Sequence, residues 1–381
     1  MLFPYKYIRH PMNRMQRYIN YIFFEVWCRA PKSKVFSLNL FDGSPNLKTV
    51  MTAFYYSDTK GAYFFYGHIE RIFELFANLS RAEIKQFKRW HQGNNSLQKI
   101  CANDPTTQLV RYDDIPPKHK LLVEQLNTFF ADLYDNVNIA ALKSTIGHID
   151  DHYDLFMEEN DVGKCPFCGI NDLLSPNHTK REAYDHYLPK KLYPFNSINF
   201  HNLVPTCYYC NTSYKGMNDP AHSRRSLTHA AQRRKAFYPY TKALYAIELR
   251  VHLQHSNFEK LTPAAISLQF GPPAISDEID TWKELYGIEE RYKAKLCAKS
   301  DGKYWLIQLL DEWKIDNSTL AIYMGKLADQ VVNWPYAECN FLKKPFFDAC
   351  QRAGMFAPIQ NGTGGSSNQP IVVVPPGTAL L

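Results

Sequence analysis

The sequence predicts an α+β chain, predominantly helical. A small unit rich in cysteine, histidine and asparagine lies between a helical N-terminal region and an α+β C-terminal region. Three observations predict this. Apolar residues recur at helical spacing up to about residue 150. Between Gly163 and Tyr214 the texture changes to short segments punctuated by Pro, Asn, Cys and His, and two runs further on alternate apolar with polar residues. With 381 residues, 45% hydrophobic and 14% aromatic, the chain can bury a substantial core, which excludes disordered and fibrous classes.

In residues 1–160, Phe65, Ile69, Ile72, Phe73 and Phe76 form one helical stripe and Leu122, Leu126, Phe129, Phe130 and Leu133 another, both read as core. Between them, Ser80 and Glu83 have the spacing of a capping box and open a helix through Lys85, Phe87 and Trp90, while Pro116 and Pro117 mark a break. Residues 161–240 form the middle unit with a basic arm. In residues 241–354, Ile247, Leu249, Val251 and Leu253 alternate with polar residues, as do Ile266, Leu268 and Phe270, which predicts two half-buried strands. Helices follow from Asp277 to Gly354, broken near Gly287, Gly302, Asn317 and Pro335. Residues 355–381 contain a Gly- and Ser-rich stretch and then Pro-Ile-Val-Val-Val-Pro-Pro. They are expected to form a flexible tail, with a strand added to a partner's sheet edge as the alternative.

No run approaches the roughly eighteen apolar residues of a spanning helix, and Tyr18 to Cys28, the most hydrophobic early run, contains Glu25. The segment Met1 to Met15 lacks the apolar core and small-residue cleavage site of a secretory signal. The expected location is therefore cytoplasmic, with no membrane partner. Nine cysteines are an odd number for a disulfide framework, and four of them fall into two pairs.

Those pairs are Cys165-Pro-Phe-Cys168 and Cys207-Tyr-Tyr-Cys210, separated by 38 residues. Two Cys-x-x-Cys knuckles supply four soft thiolates, the ligand set of a closed tetrahedral structural zinc site with no position left for water. Redox chemistry would need only one pair and would leave the second unexplained. Charge concentrates in the same region. Between His178 and Lys235 there are ten basic and three acidic residues, which accounts for the whole formal charge of +7. A basic segment in an otherwise neutral chain suggests a polyanion-binding face, nucleic acid first, against the plainer alternative of a solvated loop.

Within the loop closed by the knuckles stands Arg181-Glu-Ala-Tyr-Asp185-His186-Tyr-Leu-Pro189, then Asn199-Phe-His-Asn202-Leu-Val-Pro205, then Cys207-x-x-Cys210-Asn211 with Lys215 nearby. From Cys165 to Lys215 this combination resembles the HNH endonuclease family, in a variant with Asn211 where many members carry His. The resemblance implies a zinc-stapled ββα-metal (His-Me finger) nuclease unit. Asp185 and His186 would lie on the first strand, Asn202 in the connection and Asn211 at the start of the helix.

Phosphodiester hydrolysis needs a base to activate water and a cation to neutralise charge on the phosphate. Among the residue types present, His186 suits the base, and the oxygens of Asp185 and Asn211 suit magnesium or manganese. By resemblance alone, Asn202 would orient the His186 imidazole. It is preferred to Asn196 and Asn199 because it directly precedes Leu-Val-Pro. Lys215 and Arg181 are expected to contact phosphate. Lys190, Lys191, Arg224, Arg225, Arg233 and Arg234 would extend the nucleic-acid-binding face, with Phe237, Tyr238 and Tyr240 able to stack on bases.

The resemblance implies double-stranded DNA as substrate. The plan is also similar to nuclease components of bacterial anti-phage defence or restriction systems, which would bring an ATPase or other defence-system partner. Two alternatives stay open: an RNA nuclease, for example one cutting tRNA, using the same residues, and a non-catalytic zinc-ribbon module that binds nucleic acid.

Overall fold

The N-terminal apolar stripes settle into helices because each lacks breakers and can bury one face. The computed structural model describes residues 1–160, 163–175, 177–224, 230–316, 320–355 and 371–373. The chain divides into two units, one made of Lys6–Asp161 with Leu174–Tyr240, the other of Met1–Tyr5, Val162–Leu173 and Thr241–Leu381. Residues 174–240 thus cluster with the N-terminal helices instead of standing apart.

In the first of these units, α1 (Arg14–Tyr21) continues through turns of other pitch, Ile22–Val26 and Trp27–Arg29, into α2 (Ala30–Ser33), and Lys34 ends the run with a φ of 55°. Seven helices follow: α3 (Pro45–Tyr55), α4 (Lys60–Phe76), α5 (Arg81–Asn94), α6 (Leu97–Cys101), α7 (Lys120–Leu133), α8 (Ala140–Ile146) and α9 (Ile149–Glu159). The predicted stripes are the buried faces of α4 and α7, which pack on each other. Trp27 lies beneath them, stacked on Phe76 at 5.9 Å, with its indole N–H donating to the Ile69 carbonyl at 2.9 Å. Each such aromatic contributes about 1.5–3 kcal/mol by leaving water. At α5 the capping box forms as expected: Glu83 N donates to Ser80 Oγ and Ser80 N to Glu83 Oε2.

The same unit holds two short antiparallel strands, β1 (Tyr184–His186) and β2 (Leu203–Pro205), with Asp185 opposite Val204 and His186 opposite Leu203. A seven-residue helical segment, Tyr209–Lys215, follows β2. The connection between β1 and β2 is fixed by the end of α5. Asn94, fully buried, accepts from Val110 N and donates to the carbonyls of Val110 and Pro194, at 2.9–3.0 Å. Asn196 donates back to the Asn94 carbonyl at 3.1 Å, and Asn199 to Asn95 Oδ1 at 3.0 Å.

The other unit is built on β3 (Ile247–Leu253) and β4 (Ile266–Gly271), at the positions expected, and on helices α10 (Ser276–Tyr286), α11 (Ile288–Cys297), α12 (Gly302–Asp316), α13 (Leu320–Asn333) and α14 (Asn340–Arg352). α14 packs across β3. The break at Gly287 is a left-handed turn with φ 57° between α10 and α11, whereas Asn317 lies outside the described residues. Ile371–Val373 forms β5 and pairs antiparallel with β3, giving the order β4-β3-β5. This corrects the expectation of a flexible tail: three β-branched residues satisfy the free edge of β3 in their own chain. Most of the rest of the tail lies outside the described residues.

The first cysteine knuckle belongs to this unit. Trp282 Nε1 donates to the Phe167 carbonyl at 2.7 Å, Tyr292 OH to the Cys168 carbonyl at 2.9 Å and Leu2 N to the Pro166 carbonyl at 2.8 Å. Gly169 sits at φ 66°, where a Cβ would come within 2.4 Å of Leu2, so both backbone and packing require glycine there. Taken together, the described residues are predominantly helical with two small antiparallel sheets, an α+β arrangement. No helix among them is long and apolar enough to cross a membrane.

Candidate metal centre and active site

Cys165, Cys168, Cys207 and Cys210 are all buried, and their Sγ atoms lie within 4.8 Å of one another. Tetrahedral zinc with bonds of about 2.3 Å needs sulfurs roughly 3.8 Å apart, so a small contraction suffices. The donor set consists of soft thiolates with no oxygen ligand among them, and it can hold a zinc ion. The other described cysteines stand apart from this cluster.

Asp185 and His186, neighbours on β1, face different surroundings. Asp185 is buried, and its Oδ1 accepts from Lys215 Nζ at 2.9 Å. Lys215 also donates to the His186 carbonyl at 2.9 Å and the Gly216 carbonyl at 3.4 Å. Burial raises the Asp185 pKa, and the attraction of Lys215 offsets this only in part. Asp185 Oδ2 is buried with no hydrogen-bond partner among the described residues. Asn196 Oδ1 and Ser197 Oγ, in the connection that follows β1, share that condition. An orphaned buried oxygen costs about 1–3 kcal/mol, which a bound cation or water can recover.

His186 is half-buried beneath the edge of Tyr134, with ring centroids 5.0 Å apart. Its Nε2 lies 2.9 Å from the Ser197 carbonyl. A carbonyl can only accept, so Nε2 carries the proton and Nδ1 the lone pair. Burial, with Lys190 and Lys215 nearby, pushes the imidazole pKa down to about 3 and keeps the ring neutral. The lone pair at Nδ1 is the atom of this ring that can accept a proton.

Asn202 does not hydrogen-bond to that ring. Its Oδ1 accepts from Leu188 N at 2.7 Å, and its Nδ2 donates to the carbonyls of Leu188 at 3.0 Å and Asn196 at 3.3 Å. It therefore ties the residues after β1 to the connection carrying Ser197, so its link to the His186 ring runs through that backbone. Asn211 is half-buried on the Tyr209–Lys215 helix, and its side chain makes no hydrogen bond among the described residues.

The basic residues divide sharply. Lys215 was expected to reach phosphate, but its side chain is 0% exposed and its ammonium is committed to Asp185. Arg181 pairs with Asp150 at 2.6 Å, and Lys190 pairs with Asp135 at 3.0 Å. Arg233 donates to the Ile100 carbonyl in α6 at 3.3 Å, and Arg234 to the Asp219 carbonyl in the loop after Lys215 at 2.8 Å. Lys191 and Arg224 are exposed, and Arg225 lies outside the described residues. Phe237, Tyr238 and Tyr240 are buried, which removes them as stacking surfaces. The exposed aromatics nearby are Tyr208 and Tyr209, inside the second knuckle. Sequence reasoning also missed the Ser197 carbonyl, a backbone group without a residue signature. Asn94 was missed too, because its reach to Pro194 is set by the fold.

Two comparisons return nothing: neither a protein family nor a solved structure matches the chain. Part of the chain is similar to a phage protein. Over 188 residues it is 33% identical to Protein ea31 of Escherichia phage lambda, a stretch covering 49% of this chain and 55% of that protein. The chain thus spans about half the length of the curated relative it matches.

Proposed function

We propose that the chain is a metal-dependent HNH-type endonuclease that hydrolyses phosphodiester bonds of DNA. The observation that carries this reading is the pair on β1: a neutral His186 with its Nδ1 lone pair unspent, next to Asp185 with one buried oxygen unpartnered. The order strand, strand, helix, with the second knuckle at the helix start, supports the same reading. The unspent oxygens of Asp185 and Asn211 fit a hard divalent ion, magnesium or manganese. When bound, such an ion neutralises charge on the phosphate and the leaving oxygen. His186 Nδ1 accepts the proton of the attacking water, and the Ser197 carbonyl holds the imidazolium that results. Lys215 balances Asp185, and Asn202 keeps the Ser197 connection in place. The four thiolates would hold zinc and take no part in the reaction.

Defence or restriction, with an ATPase or other defence-system partner, is the setting implied by the family resemblance; the lambda similarity adds that a similar chain is encoded by a phage. Incubating the zinc-loaded protein with plasmid DNA and with total RNA in magnesium tests the proposal. Metal-dependent nicking of the plasmid is expected. RNA cleavage with intact plasmid would overturn DNA as the substrate.

A further inference from the structure

α5, α6 and residues 106–108 form a groove of about 440 Å³ that the proposed reaction does not use. It is lined by Arg89 and Lys99 and by the neutral polar side chains of Gln92, Ser96, Thr106 and Gln108, and no acidic residue lines it. Its wall is a tight backbone approach: a Cβ at Gly93 would lie 2.1 Å from the Gln108 carbonyl oxygen. Arg89 and Lys99 are exposed, and neither has an ion pair among the described residues. The neighbouring Asp104 accepts from Thr106 backbone N at 2.8 Å and Oγ1 at 2.7 Å, and these bonds, with the charges of Lys99 and Arg233, lower its pKa.

Two cations with several neutral hydrogen-bonding groups and no acid suit an anion with several oxygens, that is, phosphate. The groove opens to solvent, with Arg89, Gln92, Lys99, Thr106 and Gln108 all exposed, so it suits a chain running across it more than an engulfed small molecule. The basic arm touches one of the helices that line it. Arg233 donates to Ile100 and Ala236 N to the Cys101 carbonyl at 2.9 Å, so the arm lies against α6, the helix that supplies Lys99. At the same C-terminal end α5 grips the connection that holds His186, through Asn94 and its cap Asn95.

We propose that this groove is a phosphate-binding track for the backbone of duplex DNA, placing the duplex relative to the site on β1. The choice of DNA rests on the nuclease reading; the phosphate chemistry does not.

The test uses the full chain carrying His186→Ala, so that nothing is cut, and a fluorescein-labelled duplex followed by anisotropy across a salt series. Arg89→Gln with Lys99→Gln removes two phosphate contacts. The slope of log K against log salt should become shallower by about 1.8, and affinity at 0.15 M salt should fall on the order of thirty-fold. Gln108→Glu, which leaves both cations in place, should also weaken binding. Unchanged slope and affinity in either variant would overturn the proposal. Inorganic phosphate and ATP serve as competitors: failure of both to displace the duplex at millimolar concentration supports a polymer track, and full displacement by either overturns it in favour of a small-molecule site. Because binding is read without cleavage, binding through the groove together with a wild type that leaves plasmid intact in magnesium refutes the nuclease and leaves the groove standing.

Discussion

The buried pair Lys215–Asp185 gives the sharpest stability prediction. The two side chains are 0% and 4% exposed, so Lys215→Met strands a carboxylate in the interior and removes the hydrogen bonds to the His186 and Gly216 carbonyls. Breaking a buried pair from one side costs about 3–5 kcal/mol. In a unit of this size that lowers the melting temperature by roughly 6–20 °C. The pH dependence has a definite sign. Without Lys215, the Asp185 pKa in the folded state rises further above the ordinary carboxylate range, so the folded variant binds a proton more readily than the unfolded chain. The variant is then most stable at low pH and loses stability as pH rises through the folded pKa, so the deficit against wild type is larger at pH 8 than at pH 5. Adding Asp185→Asn to Lys215→Met removes the stranded charge and should recover most of the loss. Urea unfolding of wild type, Lys215→Met, Asp185→Asn and the double variant at both pH values measures this cycle. If Lys215→Met unfolds within about 0.5 kcal/mol of wild type at pH 8, the pair is not buried and the reasoning fails.

Two further outcomes are expected. Purified protein should carry about one zinc per chain by elemental analysis, and Cys207→Ser should lose it and melt roughly 10 °C or more lower; a zinc-free wild type would refute the thiolate site. His91 is buried, stacks on Phe23 at 4.1 Å, and has its pKa pushed down to about 3 by burial. A histidine with a depressed folded pKa supports the fold above its unfolded pKa near 6.5 and withdraws that support as pH falls. His91→Phe should therefore flatten the loss between pH 7 and pH 5 by up to about 2 kcal/mol, seen by denaturant titration at the two pH values. An unchanged pH profile would show that His91 is protonated in place.

What the sequence carried was mostly local or strictly spaced. The stripes of α4 and α7, the Ser80–Glu83 box and the alternation in β3 and β4 are short-range patterns whose burial follows from their period. The two knuckles could be read because four thiolates at that spacing have few other uses. Long-range partners were harder to see. Lys215 looked like one more surface cation, and only the return of the Tyr209–Lys215 helix toward β1 places its ammonium against Asp185. Phe237, Tyr238 and Tyr240 sit in a charged stretch yet are buried; the Tyr240 hydroxyl, for instance, donates to the Leu203 carbonyl at 2.5 Å. Ile371–Val373 finds the edge of β3 across more than a hundred residues, which no local pattern encodes.

The central claim is that the Asp185–His186 pair makes this a metal-dependent nuclease. It is tested most directly by the rate of plasmid cleavage, in magnesium and in EDTA, for wild type and His186→Ala at matched zinc content and matched melting temperature. The account predicts cleavage by wild type in magnesium, none in EDTA, and a loss of at least about a hundredfold in His186→Ala. Equal cleavage by the two proteins, or an intact plasmid with folded, zinc-loaded wild type, would contradict it.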